Sequence, residues 1–321
     1  MKIQIQSFIL LTILAPAALA QKNQQIRPPI IDVHMHAFEK DERWTHKVPN
    51  PLTGQPMTAT TEQAHMKATL AEMKKYNIVK AVVSNDYQAV LRWKAASPDH
   101  IITSYAFYDP SAQDLDFLRR EHAAGRLKAL GEIGAQYEGI APNDPKLEPF
   151  FALAEELDIP LAIHIGLSKP GIVYDDAPRY RMSISSPILL EEVLIRHPKL
   201  RVNVMHAGWP MLDQMIGLMW AHPQVYVDTG VIDWAIPRKE FHAYLRRLVE
   251  AGFGKRIMFG SDQMVWPETI GMAIEGIESA TFLTPEQKRD IFYNNAVRFL
   301  RLDKSGNPPS HFRKGPLLTR Q

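Results

Sequence analysis

Six residues could do chemistry together, and each stands at the end of a short apolar or β-branched run. Asp32-Val33-His34-Met35-His36 ends one run, Gly131-Glu132 another, and Ala162-Ile163-His164 and Val204-Met205-His206 two more, while Gly260-Ser261-Asp262 ends the last. Strand residues two apart share a face, so His34 and His36 project to the same side. Neutral imidazoles with one or two carboxylates suit a divalent cation: zinc first, with manganese, iron or nickel as alternatives. The chain has no cysteine, which removes thiolate sites, thiol nucleophiles and disulfides, and leaves its 12 histidines as the metal-ligand candidates. Four histidines, a glutamate and an aspartate on one rim would be costly to bury unless something bound them. An incomplete protein shell around an ion leaves a position for water, which then loses a proton near neutral pH and becomes a nucleophile. Taken singly, each residue has a plainer explanation: a core histidine bonded to a carbonyl, or, for Asp262, a helix cap after Gly260-Ser261. Their coincidence at five of the eight strand ends is what argues for a site. Asp228, before Thr229-Gly230, reads as a cap.

The elements that must position these residues follow from hydrophobic periodicity. Strands are predicted at Ile30 to His34, Lys80 to Asn85, Ile101 to Phe107, Leu127 to Glu132, Pro160 to His164, Arg201 to His206, Val225 to Asp228 and Arg256 to Ser261. Helical stripes lie between them. Phe241, Tyr244, Leu245, Leu248 and Val249 form one apolar face with Gly252 as a stop, and Leu147, Phe150, Phe151, Ala154 and Leu157 form another. Ser186-Pro187 and Thr284-Pro285-Glu286-Gln287 mark helix starts, the second with a capping box. Eight β-α units predict an α/β fold, a single (β/α)8 TIM barrel, whose active site forms at the carboxyl ends of the strands. The alternative, an open doubly wound sheet, often carries a glycine-rich phosphate loop, and no such motif is found.

Composition limits the function. With 321 residues, 45% hydrophobic and 22% charged, the chain can bury a large core, and a net charge of +2 without a polybasic block argues against nucleic acid as a partner. Residues 1–20 read as a signal peptide, with Lys2, an apolar run from Phe8 and the small-x-small form Ala18-Leu19-Ala20. Cleavage after Ala20 and export to the periplasm or outside the cell are expected, without stable membrane insertion, since the run is shorter than the ~20 residues a span needs. Residues 21–302 are taken as one domain and 303–321 as a polar, disordered tail. Two long segments, Ala37 to Thr60 and Ile165 to Met182, lie outside the repeat, where long loops are usually functional or mobile. Trp44 in the first could cover the site, and Arg179 and Arg181 in the second could pair with a substrate carboxylate. The other histidines, among them His65, His100, His122, His197, His222, His242 and His311, are expected to face solvent.

Asp32-x-His34-x-His36, His164, the turn His206-Ala207-Gly208-Trp209-Pro210, the ending Phe259-Gly260-Ser261-Asp262 and Asn294-Asn295-Ala296-x-x-Phe299 resemble the amidohydrolase superfamily, specifically its amidohydrolase-related (amidohydrolase 2) branch. The resemblance spans about residues 28 to 302. It implies metal-dependent hydrolases, including lactonases, together with non-oxidative decarboxylases and hydratases. It also implies roles. His34, His36, His164 and Asp262 would hold the metal, Asp262 would act as general base, and His206 would bind a second metal or polarise the scissile group. Gly131-Glu132-Ile133-Gly134 resembles the carboxylate that bridges two metals elsewhere in the superfamily, so one or two ions are expected, with Glu132 as ligand or as an acceptor orienting a histidine.

The expectation is an exported metal-dependent hydrolase acting on a small-molecule substrate, with metal-bound hydroxide attacking an ester, lactone or amide carbonyl and His206 steadying the oxyanion. The nearest alternative is decarboxylation of an aromatic or unsaturated acid at the same site. A third reading, from another class, is a non-catalytic exported solute-binding module. Homodimers are common in such barrels, although nothing in the sequence identifies a dimer surface.

Overall fold

The computed structural model describes residues 27–303 apart from Leu167. The expected signal peptide at residues 1–20 and the tail beyond residue 303, His311 included, lie outside the described residues. The strands are β1 (Ile30–Ala37), β2 (Ile78–Asn85), β3 (Ile101–Phe107), β4 (Ala129–Ile133), β5 (Leu161–Ile163), β6 (Val202–Val204), β7 (Val225–Asp228) and β8 (Ile257–Met258). They form one eight-stranded sheet in sequence order, with every neighbouring pair parallel. Val33 N donates to Phe259 O at 3.0 Å and Asp262 N to His34 O at 2.8 Å, which brings the segment after β8 back against β1. The sheet therefore curls round on itself as the expected TIM barrel.

The crossover helices form where the apolar stripes were read. Phe241, Tyr244, Leu245 and Leu248 are buried on one face of the helix Arg238–Leu248, each worth about 1.5–3 kcal/mol if taken fully from water. Gly252 then takes a left-handed backbone (φ 94°) and ends the turn. Phe150, Phe151 and Ala154 serve in the same way in the helix Glu148–Glu156. The Thr284 capping box forms in both directions, Gln287 N to Thr284 Oγ1 at 3.2 Å and Thr284 N to Gln287 Oε1 at 2.8 Å. Ser186 differs from expectation. Its hydroxyl donates to Gln214 Oε1 at 2.6 Å and caps no N–H, while Pro187 opens a 3-10 turn, Pro187–Leu190, ahead of the helix Glu191–Arg196.

Two departures from the predicted strand limits matter for the site. β6 and β8 stop at Val204 and Met258, short of the predicted ends; His206 (φ 56°), two residues past β6, takes left-handed backbone that cannot continue a ladder, and so does Asp262 (φ 45°) farther beyond β8. β1 runs on to Ala37 and gains a residue on β2: Asp32 pairs with Ala81 and Met35 with Val83. Such a bulge re-aims side chains beside active sites. Apart from the main core, Ile31, Val33, Val82, Ala129 and Met258 of the strands pack with Ala296 and Phe299 of the helix Asn295–Phe299 in a second apolar cluster.

Candidate metal centre

All six predicted site residues meet at the carboxyl ends of the strands, and all are between 1% and 7% exposed. His34 and His36 from β1 bring their Nε2 atoms to 3.2 Å, and His206 Nε2 stands 3.0 Å from His164 Nδ1. Glu132 lies between the two histidine pairs. Its Oε1 is 2.5 Å from His164 Nδ1 and 3.9 Å from His206 Nε2, while its Oε2 is 3.4 Å from His36 Nε2 and 3.9 Å from His34 Nε2. Asp262 completes the ring, with Oδ1 3.0 Å from His36 Nε2 and 3.7 Å from His34 Nε2, and Oδ2 3.8 Å from His206 Nδ1. Donor atoms of His34, His36 and Asp262 lie within 4.8 Å of one another, and those of Glu132, His164 and His206 do likewise.

This donor set fits a divalent cation. Imidazole nitrogens facing one another in pairs repel unless a proton or a cation lies between them, and Asp262 Oδ1 is buried without a hydrogen-bond partner of acceptable geometry. The electrostatics agree. Burial alone would lower the His34 pKa, but the Asp262 and Asp228 carboxylates outweigh it and hold the ring well above its ordinary value. Burial would likewise raise Glu132 and Asp262; histidine contacts outweigh it and hold both carboxyls below the usual range. The pocket is thus built to stabilise positive charge at its centre. His206 Nδ1 is 3.0 Å from the Gly230 carbonyl, which can only accept, so Nδ1 carries a proton and Nε2 of the neutral ring keeps its lone pair for a ligand. Such a ring donates to an oxyanion only as imidazolium.

The sequence left four neighbours without a role or with a smaller one. Asp32 Oδ1 accepts from His34 N at 3.0 Å and Ser261 N at 3.1 Å, fastening β1 to the segment after β8, and burial pushes its carboxyl up to about 7. The only sequence signal for it is its place ahead of His34 and His36. Gln263 clasps the His36 backbone, accepting from N at 3.0 Å and donating to O at 2.7 Å, and nothing in the sequence marks it. The Tyr137 hydroxyl is 3.3 Å from His164 Nε2, on the far side of the ring from Glu132. Asp228 Oδ1 accepts from Gly230 N at 2.9 Å, the turn-capping bond expected of it, but the same atom lies 3.3 Å from His34 Nδ1.

Other expectations change. His65 and His197 are buried, not solvent-facing. His65 packs among Phe38, Trp44 and Trp93, and His197 lies between Glu148 and Glu155 with its nitrogens 2.8 and 3.1 Å from their carboxylates. Trp44, on the short helix Glu42–His46, is linked to the site through Phe38, whose ring packs against both Trp44 and His36. Arg179 pairs with Glu138, and Arg181 donates to the carbonyls of Pro178 and Tyr180, so both are engaged outside the metal cluster.

A barrel of this topology carrying this cluster defines a class. The chain belongs to the amidohydrolase family, whose model, Amidohydro_2 (Amidohydrolase), matches residues 31–302. Among solved structures it is similar to an uncharacterised TIM-barrel protein from Bordetella bronchiseptica (18% identity, TM-score 0.68, covering 85% of this chain and 99% of that one). It is also similar to a probable 2-pyrone-4,6-dicarboxylic acid hydrolase from Acinetobacter baumannii (16%, 0.60, 86% and 100%). A third is 5-carboxyvanillate decarboxylase from Sphingomonas paucimobilis (17%, 0.55, 85% and 99%). Protein fluG of Emericella nidulans is 22% identical over 166 residues, 47% of this chain but 18% of that longer protein. The chain accordingly belongs to a metal-dependent family of enzymes. No helix among the described residues is long and apolar enough to cross a membrane.

Proposed function

We propose that this enzyme is a metal-dependent hydrolase cleaving an ester, lactone or amide of a small molecule. The carrying observation is the buried Asp262, whose Oδ1 stands 3.0 Å from His36 Nε2 within the histidine cluster and whose carboxyl those histidines keep ionised, so that it can accept a proton. His34, His36, His164, His206, Glu132 and Asp262 are the residues that would hold one or two ions, zinc being favoured by the nitrogen and oxygen donors. A bound ion there supplies Lewis acidity toward the carbonyl and acidifies water. Asp262 takes a proton from the attacking water and returns it to the leaving oxygen or nitrogen as the acyl bond breaks. The wall formed by Tyr108, Tyr137 and Tyr180, with ring centroids 5.7 and 5.8 Å apart, would flank the substrate.

That wall also supports a second reading, decarboxylation of a planar aromatic acid, in line with the similarity to 5-carboxyvanillate decarboxylase. A substrate carboxylate fits either reading. The test is product analysis of the zinc- or manganese-loaded protein on lactones, esters, amides and aromatic acids in ¹⁸O-water. Hydrolysis with one solvent oxygen in the product and no carbon dioxide is expected; carbon dioxide from an aromatic acid with no hydrolysis overturns the proposal. Export rests on residues 1–20 alone and is tested by amino-terminal sequencing of the protein from a periplasmic or culture fraction, where Gln21 is the expected first residue.

A further inference from the structure

β7 contributes none of the six clustered residues, yet its end touches two of them. Asp228 Oδ1 lies 3.3 Å from His34 Nδ1 and accepts from His206 N at 3.2 Å and Gly230 N at 2.9 Å, while Oδ2 accepts from Asn203 Nδ2 at 2.7 Å. Two residues on, the Gly230 carbonyl accepts from His206 Nδ1 at 3.0 Å. Space has been left for this contact. A Cβ at Gly230 would stand 2.6 Å from His34 Nδ1, and one at Gly260 would stand 2.7 Å from His34 Cβ and 3.3 Å from Asp228 Cγ. Neither glycine has a positive φ, so close approach rather than backbone freedom accounts for both.

We infer that Asp228 is a positioning residue that fixes the His34 ring so that Nε2, not Nδ1, faces the metal. With Asn203 occupying Oδ2, the side chain is locked with Oδ1 toward His34. An ionised carboxylate can only accept there, so the proton of the neutral ring sits on Nδ1 and the lone pair on Nε2, the atom that meets His36 Nε2 at 3.2 Å. The Gly230 carbonyl acts on His206 in the same way. One strand end thus sets the tautomers of a histidine from β1 and a histidine that follows β6. This inference rests on the proposed metal dependence.

The test is zinc affinity of the full chain, by chelator competition, for wild type, Asp228→Asn and the exchange Asn203→Asp with Asp228→Asn. Asparagine at 228 alone replaces the ionised acceptor of the His34 Nδ1 proton by a neutral one and either forces the Asn203 amide to turn over or turns a donor onto His34 Nδ1, and about 10- to 100-fold weaker binding is expected. The exchange restores an acceptor at 203 and leaves an oxygen toward His34, so affinity returns to within a fewfold of wild type. Nitrogen-15 imidazole spectra of the zinc-loaded wild type should show Nδ1 of His34 protonated. Gly230→Ala, which drives a methyl against His34 Nδ1, should weaken zinc as the single asparagine does, and keeps the test available if that variant does not fold. Wild-type affinity in Asp228→Asn, or an exchange as weak as the single variant, overturns the inference alone. A wild-type protein that binds no divalent ion overturns the functional reading beneath it.

Discussion

Glu132 Oε2 and Asp262 Oδ1 approach the same atom, His36 Nε2, at 3.4 and 3.0 Å, while the other oxygen of Glu132 stays 2.5 Å from His164 Nδ1. One carboxylate therefore spans the histidine pair of β1 and the pair from beyond β5 and β6. With two ions bound, removing it should take away a shared ligand. Elemental analysis of the purified protein is expected to give two equivalents for wild type, falling to one or fewer in Glu132→Ala. One equivalent in both would assign Glu132 to orienting His164 instead.

Asp262 is held ionised by its histidine neighbours, which makes it the group to move the proton. Asp262→Asn keeps an oxygen donor for the ion but cannot accept and return a proton. Turnover on whichever panel compound wild type consumes should fall about 10²- to 10⁴-fold. A fall below tenfold, with metal content unchanged, would assign proton transfer to another residue.

The six clustered residues were legible because barrel strands and the segments just beyond them deliver side chains to one rim, so residue type near each strand end pointed to them. His34 and His36 needed only the two-residue period. What supports them was not legible. Gln263 acts through its amide on the His36 backbone, and Asp228 through a contact with β1, 194 positions away in sequence; neither relation leaves a local pattern. The histidines outside the site show the same limit. His65 begins the buried stripe His65, Thr69, Met73 of the helix Glu62–Tyr76, but a polar residue at the head of a stripe reads as exposed unless its aromatic partners from three other segments are known.

Arg179 illustrates an assignment the fold redirects. Its guanidinium pairs with Glu138 and the side chain is 69% exposed, the setting in which ion pairs contribute about 0–1 kcal/mol. Arg179→Ala should leave KM within about twofold and stability within about 0.5 kcal/mol of wild type, by steady-state kinetics and urea unfolding. A KM rise of tenfold or more would restore the carboxylate-binding role read from the sequence.

His65 carries a pH dependence whose sign can be stated. Its ring is fully buried, with centroids 5.4 to 6.0 Å from those of Trp93, Trp44 and Phe38, and neither nitrogen has a hydrogen bond of good geometry, the Met264 backbone being its nearest polar contact. Burial pushes its pKa down from 6.5 to about 4, outweighing the opposing contact with the Met264 backbone, with the charges of His36 and Arg43 adding to the effect. The unfolded chain therefore takes up a proton between these values that the folded protein refuses. The stability at stake is fully present above pH 6.5 and is lost as pH falls to about 4, by about 3 kcal/mol. Urea unfolding of wild type and His65→Leu at pH 7 and pH 4, both metal-free, isolates this contribution because every other titrating group is common to the two. The variant should lose about 3 kcal/mol less than wild type over that interval. Parallel losses would mean that His65 is charged, or bonded, in the folded protein.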